Sequence, residues 1–288
     1  ILFSFVFSKT FTRRLRRIMT TMRTIRTGDY SQEVRMGGND ELTVLGDEFN
    51  DLLKRLRTSE QKRNNFVSDA SHELKTPLTS MKVLADSLLA QDNVPVELYQ
   101  EFMGDITEEI DRENKIINDL LTLVKLDKTD GELNIESVDI NALLELLMKR
   151  LRPIARQQNI EVILESNRPV QANVDEVKMT LALSNLVENA IKYNKQNGWV
   201  RVVLDADYQY FTVMVEDSGM GIPEESLERI YERFYRVDKS HSREIGGTGL
   251  GLAITRNIVL MHRGTIQVSS VEAEGTTFVV KVPLIHSK

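Results

Sequence analysis

Apolar positions fall at helical spacing through the first half of the chain and change to short alternating runs in the second. Over about 10–25, Phe11, Leu15, Ile18, Met22 and Ile25 recur every three or four residues, which predicts an amphipathic helix. Gly28-Asp29 breaks the pattern, an extended piece follows over 30–36, and Gly37-Gly38-Asn39-Asp40 marks a second loop. Asn39 and Asp40 are candidate N-caps for the next helix, with Asp40 and Glu41 favourable beside its positive end. The stripe of that helix, Leu42, Leu45, Phe49, Leu52 and Leu56, steps by threes and fours like a coiled-coil seam. Two short helices joined by an extended connector cannot both bury such stripes alone, so a dimeric four-helix bundle is expected.

No Gly or Pro occurs over 47–76, so the second helix can run on into the next element. Its seam resumes as Val67, Leu74, Met81 and Leu88 after an eleven-residue step from Leu56, a heptad plus a four-residue stutter. A stutter locally unwinds a coiled coil. It marks either a joint that passes on rotation or a plain domain junction. Asp92-Asn93-Val94-Pro95 predicts a turn, and a further long helix is expected over about 96–126, with Phe102, Ile106, Ile110, Ile117, Leu121 and Val124 on one face. Two antiparallel helices with apolar seams make a second dimeric four-helix bundle. Past a polar hinge at 127–133, β-type runs at 161–164, 200–204 and 211–215 alternate with helices near 140–157, 175–193 and 248–262. That alternation predicts an α+β sandwich, helices on one face of a mixed sheet.

Composition narrows the function. Apolar residues at 41% supply a core, and the lack of cysteine removes disulfide frameworks and thiolate metal sites. A net charge of -6 argues against nucleic acid as partner. The charge is uneven, however: Lys9, Arg13, Arg14, Arg16, Arg17, Arg23 and Arg26 follow the apolar run 1–7. Seven apolar residues cannot span a bilayer, but apolar sequence followed at once by a basic cluster is what the cytoplasmic end of a transmembrane helix looks like. An amphipathic leader is the alternative.

The first chemical signal is Ser71-His72-Glu73-Leu74-Lys75-Thr76-Pro77-Leu78-Thr79. At about 100° per residue from Val67, the apolar Ala70, Leu74, Leu78 and Met81 cluster near the seam, while His72 and Thr76 point away from it. A core histidine would lie on the stripe. Neutral imidazole is a nucleophile towards phosphorus, and the adjacent Glu73 carboxylate can accept its N–H and raise that nucleophilicity. Pro77 interrupts the helix beside this turn, and Thr76 sets a hydroxyl on the same face.

Four motifs follow in the α+β part of the chain. Asn185, Asn189 and Tyr193 are spaced four apart on one helical face. Carboxamide oxygens suit a Mg²⁺ ion held mainly by nucleotide phosphates, Lys192 could meet a phosphate, and Tyr193 offers a ring to adenine. Asp217-Ser218-Gly219-Met220-Gly221 follows a strand, so Asp217 could accept the adenine amino group while Gly219 and Gly221 let the backbone approach the base. In Arg233-Phe234-Tyr235-Arg236, Phe234 and Tyr235 could pin a loop and Arg236 could reach a phosphate. Gly246-Gly247-Thr248-Gly249-Leu250-Gly251 opens a helix and makes an anion site, and 237–245 is a candidate ATP lid. The run lacks the preceding strand of a dinucleotide fingerprint and the lysine of a P-loop.

Several resemblances carry these signals further. Residues 9–58, with Asp40-Glu41-Leu42, Leu45-Gly46 and Phe49-Asn50, resemble a HAMP domain, although the usual proline of the first helix is missing and Arg14 or a neighbour stands there. The segment 71–79 resembles the H-box of sensor histidine kinases. The later four motifs resemble the N, G1, F and G2 boxes of the Bergerat (GHKL) ATP-binding fold. The resemblance implies a multidomain chain: the end of a transmembrane helix at 1–8, a parallel HAMP coiled coil at 9–58, a dimerisation and phosphotransfer hairpin at 59–130, and a catalytic sandwich at 131–288. It implies His72 as phosphoacceptor, Glu73 as base, and Glu73 with Thr76 serving a reverse phosphatase reaction. It also implies Asn189 as the Mg²⁺ ligand with Asn185 nearby, a homodimer, a response regulator as partner, and a membrane-anchored location facing the cytoplasm. Gyrase-type ATPases place a water-activating glutamate where Asn185 stands here, which separates a kinase from an ATP-driven conformational machine.

Overall fold

The computed structural model describes residues 2–25, 32–35, 37–38, 40–90, 94–128, 133–237 and 247–285. The chain divides into two compact units, Ile1–Glu73 and Leu74–Lys288. In the first, α1 spans Leu2–Ile25 and α2 begins at Glu41. Helix α1 therefore starts earlier than the periodic positions suggest, because neither Gly nor Pro interrupts 2–25. No described helix is long and apolar enough to cross a membrane.

The Asp40 cap forms as expected: its Oδ1 accepts the Thr43 N–H at 3.2 Å and the Thr43 hydroxyl at 3.0 Å. Arg14 reaches the Asp40 carboxylate, the Gly37 carbonyl and, at 3.1 Å, the Thr43 hydroxyl. Asn50 holds the connector by both ends of its carboxamide. Its Oδ1 accepts the Val34 N–H at 2.8 Å and its Nδ2 donates to the Val34 carbonyl at 3.0 Å. Ile18, Val34 and Leu53 are buried, whereas Phe11, Leu15, Met22, Leu45, Leu52 and Leu56 are exposed.

Helix α2 is continuous over Glu41–Leu89 with Pro77 inside it, and α3 spans Val96–Lys128. The second unit then builds β1 (Glu136–Asp139), α4 (Ile140–Gln157), β2 (Glu161–Ser166), β3 (Gln171–Val174), α5 (Glu176–Lys192), β4 (Trp199–Ala206) and β5 (Tyr210–Asp217). A short 3₁₀ turn at Glu224–Ser226 precedes α6 (Gly251–Met261), β6 (Thr265–Val271) and β7 (Gly275–Pro283).

The main sheet has the order β2-β4-β5-β7-β6. Its β2–β4 pair is parallel and the others are antiparallel, so the sheet is mixed. In β4, β5 and β7 alternate residues are buried, among them Val202, Val213 and Val280, and these join α4 and α5 through Leu144, Met148 and Leu186 in one core. The small antiparallel pair β1–β3 is an addition that alternation alone does not reveal.

Candidate nucleotide-binding site

Two buried ties fix α5. Asp175 caps it, accepting the Lys178 N–H at 3.0 Å, and the Asp175 N–H donates to His262 Nε2 at 3.0 Å. Since Nε2 accepts, Nδ1 carries the proton and donates to the Ile258 carbonyl at 2.8 Å. His262 is thus a satisfied core residue joining the start of α5 to the end of α6.

The other end of α5 is braced by Asn194, whose Nδ2 donates to the Ala190 and Trp199 carbonyls, both at 3.0 Å. The Ser218 hydroxyl donates to Asn194 Oδ1 at 3.1 Å and accepts the Trp199 N–H at 2.9 Å. This brace sets the loop after β5 against Tyr193. The Met220 N–H donates to the Tyr193 carbonyl at 3.1 Å, and a Cβ on Gly219 would lie 2.4 Å from that oxygen. Gly221 lies beside β6, where a Cβ would stand 2.1 Å from the Val271 carbonyl oxygen. Asp217 Oδ1 accepts the Gly219 N–H at 2.8 Å. Burial pushes its pKa up to about 6, against the pull of the Gly219 and Thr276 N–H groups.

The glycine run is brought to the same face. Asn185 Nδ2 donates to the Gly251 carbonyl at 3.2 Å, and a Cβ on Gly247 would lie 2.8 Å from the Tyr193 hydroxyl and 3.4 Å from Lys192 Nζ. Gly249 has φ +69°, and its carbonyl accepts the Phe234 N–H at 2.9 Å, so the Phe234 loop rests on the run. This left-handed backbone is why α6 starts at Gly251 rather than near 248. No side chain caps α6, so its first N–H groups have no side-chain acceptor from the N-cap. The Leu250 N–H donates to Thr248 Oγ1 at 3.3 Å.

Charge converges on this place. Lys192 Nζ stands 5.6 Å from the Tyr193 ring centre. Its pKa falls to about 8, first because it is buried and then because Lys115, Arg236 and Arg112 add positive charge around it. Burial also pushes the Tyr193 hydroxyl up, with Arg236 opposing. Such a cationic group needs an anion. Asn189 is half-buried one turn from both Asn185 and Tyr193. Asn185 and Asn189 together offer carboxamide oxygens beside the glycine run, a donor set that fits an ion shared with phosphates. Among the described residues no group of His, Cys, Asp or Glu could hold a metal by itself.

Glu188 is occupied elsewhere. Its Oε1 accepts the Ser184 hydroxyl at 2.9 Å, and Arg150 and Lys115 stand at 3.7 and 3.8 Å. On α2, His72 and Thr76 are exposed, Glu73 is half-buried and Pro77 is buried. The candidate lid at 237–245 is described only at Val237, and Gly246 also lies outside the described residues. Sequence motifs do not point to the Asn194–Ser218 brace, nor to two contacts from α3. Asp119 accepts the Thr248 hydroxyl at 2.7 Å, and Asp127 accepts from Arg233 at 2.7 and 3.0 Å.

Comparison with known proteins agrees with this reading of the chain. Residues 6–58 match the HAMP domain, 62–129 the His Kinase A (phospho-acceptor) domain, and 174–286 the histidine kinase-, DNA gyrase B- and HSP90-like ATPase. The sensor histidine kinase WalK of Bacillus subtilis is 35% identical over 227 residues, 78% of this chain and 37% of its own length. The sensor histidine kinase YclK of the same organism is 31% identical over 294 residues, 99% of this chain and 61% of its own length. The chain thus spans less than two thirds of these relatives.

Among solved structures, histidine kinase ThkA in its complex with a response regulator has a TM-score of 0.66 at 24% identity, over 85% of this chain and 68% of its own. Acinetobacter baumannii AdeS has a TM-score of 0.59 at 24% identity, over 74% of this chain and 98% of its own. At that identity these two show the fold alone. With three domains matched in order and curated relatives along its length, the chain belongs to the HAMP-containing sensor histidine kinases.

Proposed function

We propose that the chain is an ATP-dependent protein-histidine kinase that phosphorylates His72 and passes the phosphoryl group to an aspartate of a response regulator. The observation that carries the reading is the convergence of Lys192, Tyr193, Asp217, Gly219 and the glycine run 247–251 on one face of the sandwich. Those residues lie far apart in sequence, and they come together with the Asp217 carboxylate as an acceptor at one end and the Lys192 and Arg236 cations at the other. Asp217 accepts the adenine amino group, and Gly219 and Gly221 admit the ring. Lys192, Arg236 and the N–H groups opened by Gly247, Thr248, Gly249, Leu250 and Gly251 bind the polyphosphate, with Phe234 holding that run in place.

In the transfer, a bare nitrogen of His72 attacks the γ-phosphorus, the bond to the bridging oxygen breaks, and ADP leaves with the electron pair. Glu73 accepts the proton of the other ring nitrogen as positive charge develops there. Asn189, with Asn185 nearby, would hold Mg²⁺, which when bound neutralises phosphate charge. Asn185, an amide where a carboxylate would activate water, favours transfer to protein over hydrolysis. Thr76, one turn beyond His72 on the same exposed face, is placed to orient water in the reverse phosphatase reaction on the regulator.

Dimerisation through the stripes of α1, α2 and α3 belongs to the same reading, supported by the apolar side chains those helices leave exposed. Anchorage to a membrane at the cytoplasmic face is supported by the basic cluster of α1 and by the family. The domain limits proposed are 9–58, 59–130 and 131–288, the last supported by one core that includes residues from Val138 onward.

Incubation with labelled ATP and Mg²⁺ tests the kinase. The expected result is an acid-labile, base-stable label that is absent from His72→Gln and from Asn189→Ala. A parent chain that binds ATP yet takes up no label, or a His72→Gln variant that keeps it, would overturn the assignment.

A further inference from the structure

Helix α3 presents a polar stripe in which each member sits one or two turns from the next: Arg112, Lys115, Asp119 and Asp127. Three of these touch three different motifs of the nucleotide face. Lys115 stands 3.8 Å from Glu188 of α5, Asp127 holds Arg233 beside Phe234, and Asp119 Oδ2 accepts the Thr248 hydroxyl at 2.7 Å. The third contact differs from the others in kind. Thr248 Oγ1 also accepts the Leu250 N–H, so one hydroxyl links the Asp119 carboxylate to the turn that opens α6. A negative side chain therefore stands where the glycine run is shaped for an anion.

That position is uncomfortable for a charge. Burial raises the Asp119 pKa, Glu188 pushes in the same direction, and the Thr248 hydroxyl and Lys115 only partly offset them. A polyphosphate arriving at the same turn would add several negative charges at short range in a partly desolvated setting, where such repulsion is strong. It would also offer the Leu250 N–H a stronger acceptor than a single hydroxyl oxygen.

We propose that Asp119 is a gating residue of the nucleotide site: its carboxylate holds the glycine run to α3 through Thr248, and the polyphosphate of bound nucleotide displaces it. Helix α3 then keeps the nucleotide face latched until nucleotide is loaded. The inference rests on the nucleotide reading above, since it needs a polyphosphate at the N-terminus of α6.

Titration of the full chain with ATP, ADP and adenosine, in parent and Asp119→Asn forms, tests it. Asparagine keeps an oxygen for the Thr248 hydroxyl and removes the charge. The expected result is a Kd for ATP lowered about fivefold to tenfold, a smaller gain for ADP, and an unchanged Kd for adenosine. An unchanged or raised Kd for ATP, or an equal gain for adenosine, would overturn the latch. A parent chain that binds adenosine no better than a non-nucleoside control, and ATP not at all, would instead sink the nucleotide reading itself. Should the Asn form lose adenosine binding through misfolding, Asp119→Ser carries the same comparison with the same outcomes.

Discussion

The sandwich and the long helices use similar apolar residues to opposite ends. In the sandwich, Leu144, Met148, Leu183, Leu186 and Phe211 are completely enclosed by residues of the same chain. Along α2 and α3, Leu45, Leu52, Leu56, Val67, Leu78, Ile110, Ile117 and Leu121 remain between 40% and 58% accessible. Both sets obey the periodicity of their elements, so local pattern does not separate them. What separates them is closure: a sheet covered by helices encloses its core alone, while a single helical stripe needs a second stripe. The stability of the sandwich is therefore a property of one chain, and in the dimer proposed above that of the helices depends on concentration.

Breaking each side in turn should show this. Leu186→Ala opens a cavity under the sheet and should cost about 2–5 kcal/mol of the sandwich's stability. Thermal unfolding should report the loss as the same shift at every protein concentration, and a concentration-dependent shift would contradict the closed-core picture. Leu52→Ala should leave that transition alone and act on assembly. Losing roughly 1.5–3 kcal/mol of burial raises a dimer dissociation constant about tenfold to a hundredfold. Sedimentation equilibrium measures that constant, and no change in it would remove Leu52 from the interface.

The gentlest probe is pH, which acts on the site rather than on either scaffold. Asp217 has its folded-state pKa raised to about 6, so it contributes stability at low pH that is lost as pH rises through about 6, while its carboxylate form is the one proposed to accept the adenine amino group. Lys192, with its pKa lowered to about 8, sheds above that value the charge proposed to meet phosphate. ATP affinity should therefore be highest between about 6 and about 8, falling at most about tenfold per pH unit on either side. Asp217→Asn should flatten the acid limb and spare the alkaline one, as isothermal titration across that range would read.

Elements with strong periodicity and motifs with local chemistry are legible in the sequence. The continuous α2 follows from the absence of Gly and Pro over 47–76. The mixed sheet also agrees with expectation. What stayed hidden involves partners distant in the chain. Ser218 and Asn194 are 24 residues apart, and Thr248 and Asp119 are 129 apart. Nothing in the local composition of either partner announces the other. Boundaries slipped for simpler reasons: α1 reaches Leu2 because no breaker intervenes, and α6 waits until Gly251 because Gly249 turns left-handed.

Strand β7 lies between β5 and β6 in space yet is the last strand along the described chain. As the ribosome releases the polypeptide, the helices can form from local bonds as soon as they emerge. Strand β5, by contrast, shows an unpaired edge until residues 275–283 arrive, because its neighbour on that side is β7. Through that interval β6 also lacks its pairing partner. The sandwich is thus a late-closing module whose assembly follows the helices in time, with a vulnerable window during synthesis when an open edge is on display. A chain ended by a premature stop before residue 275 would never leave that window.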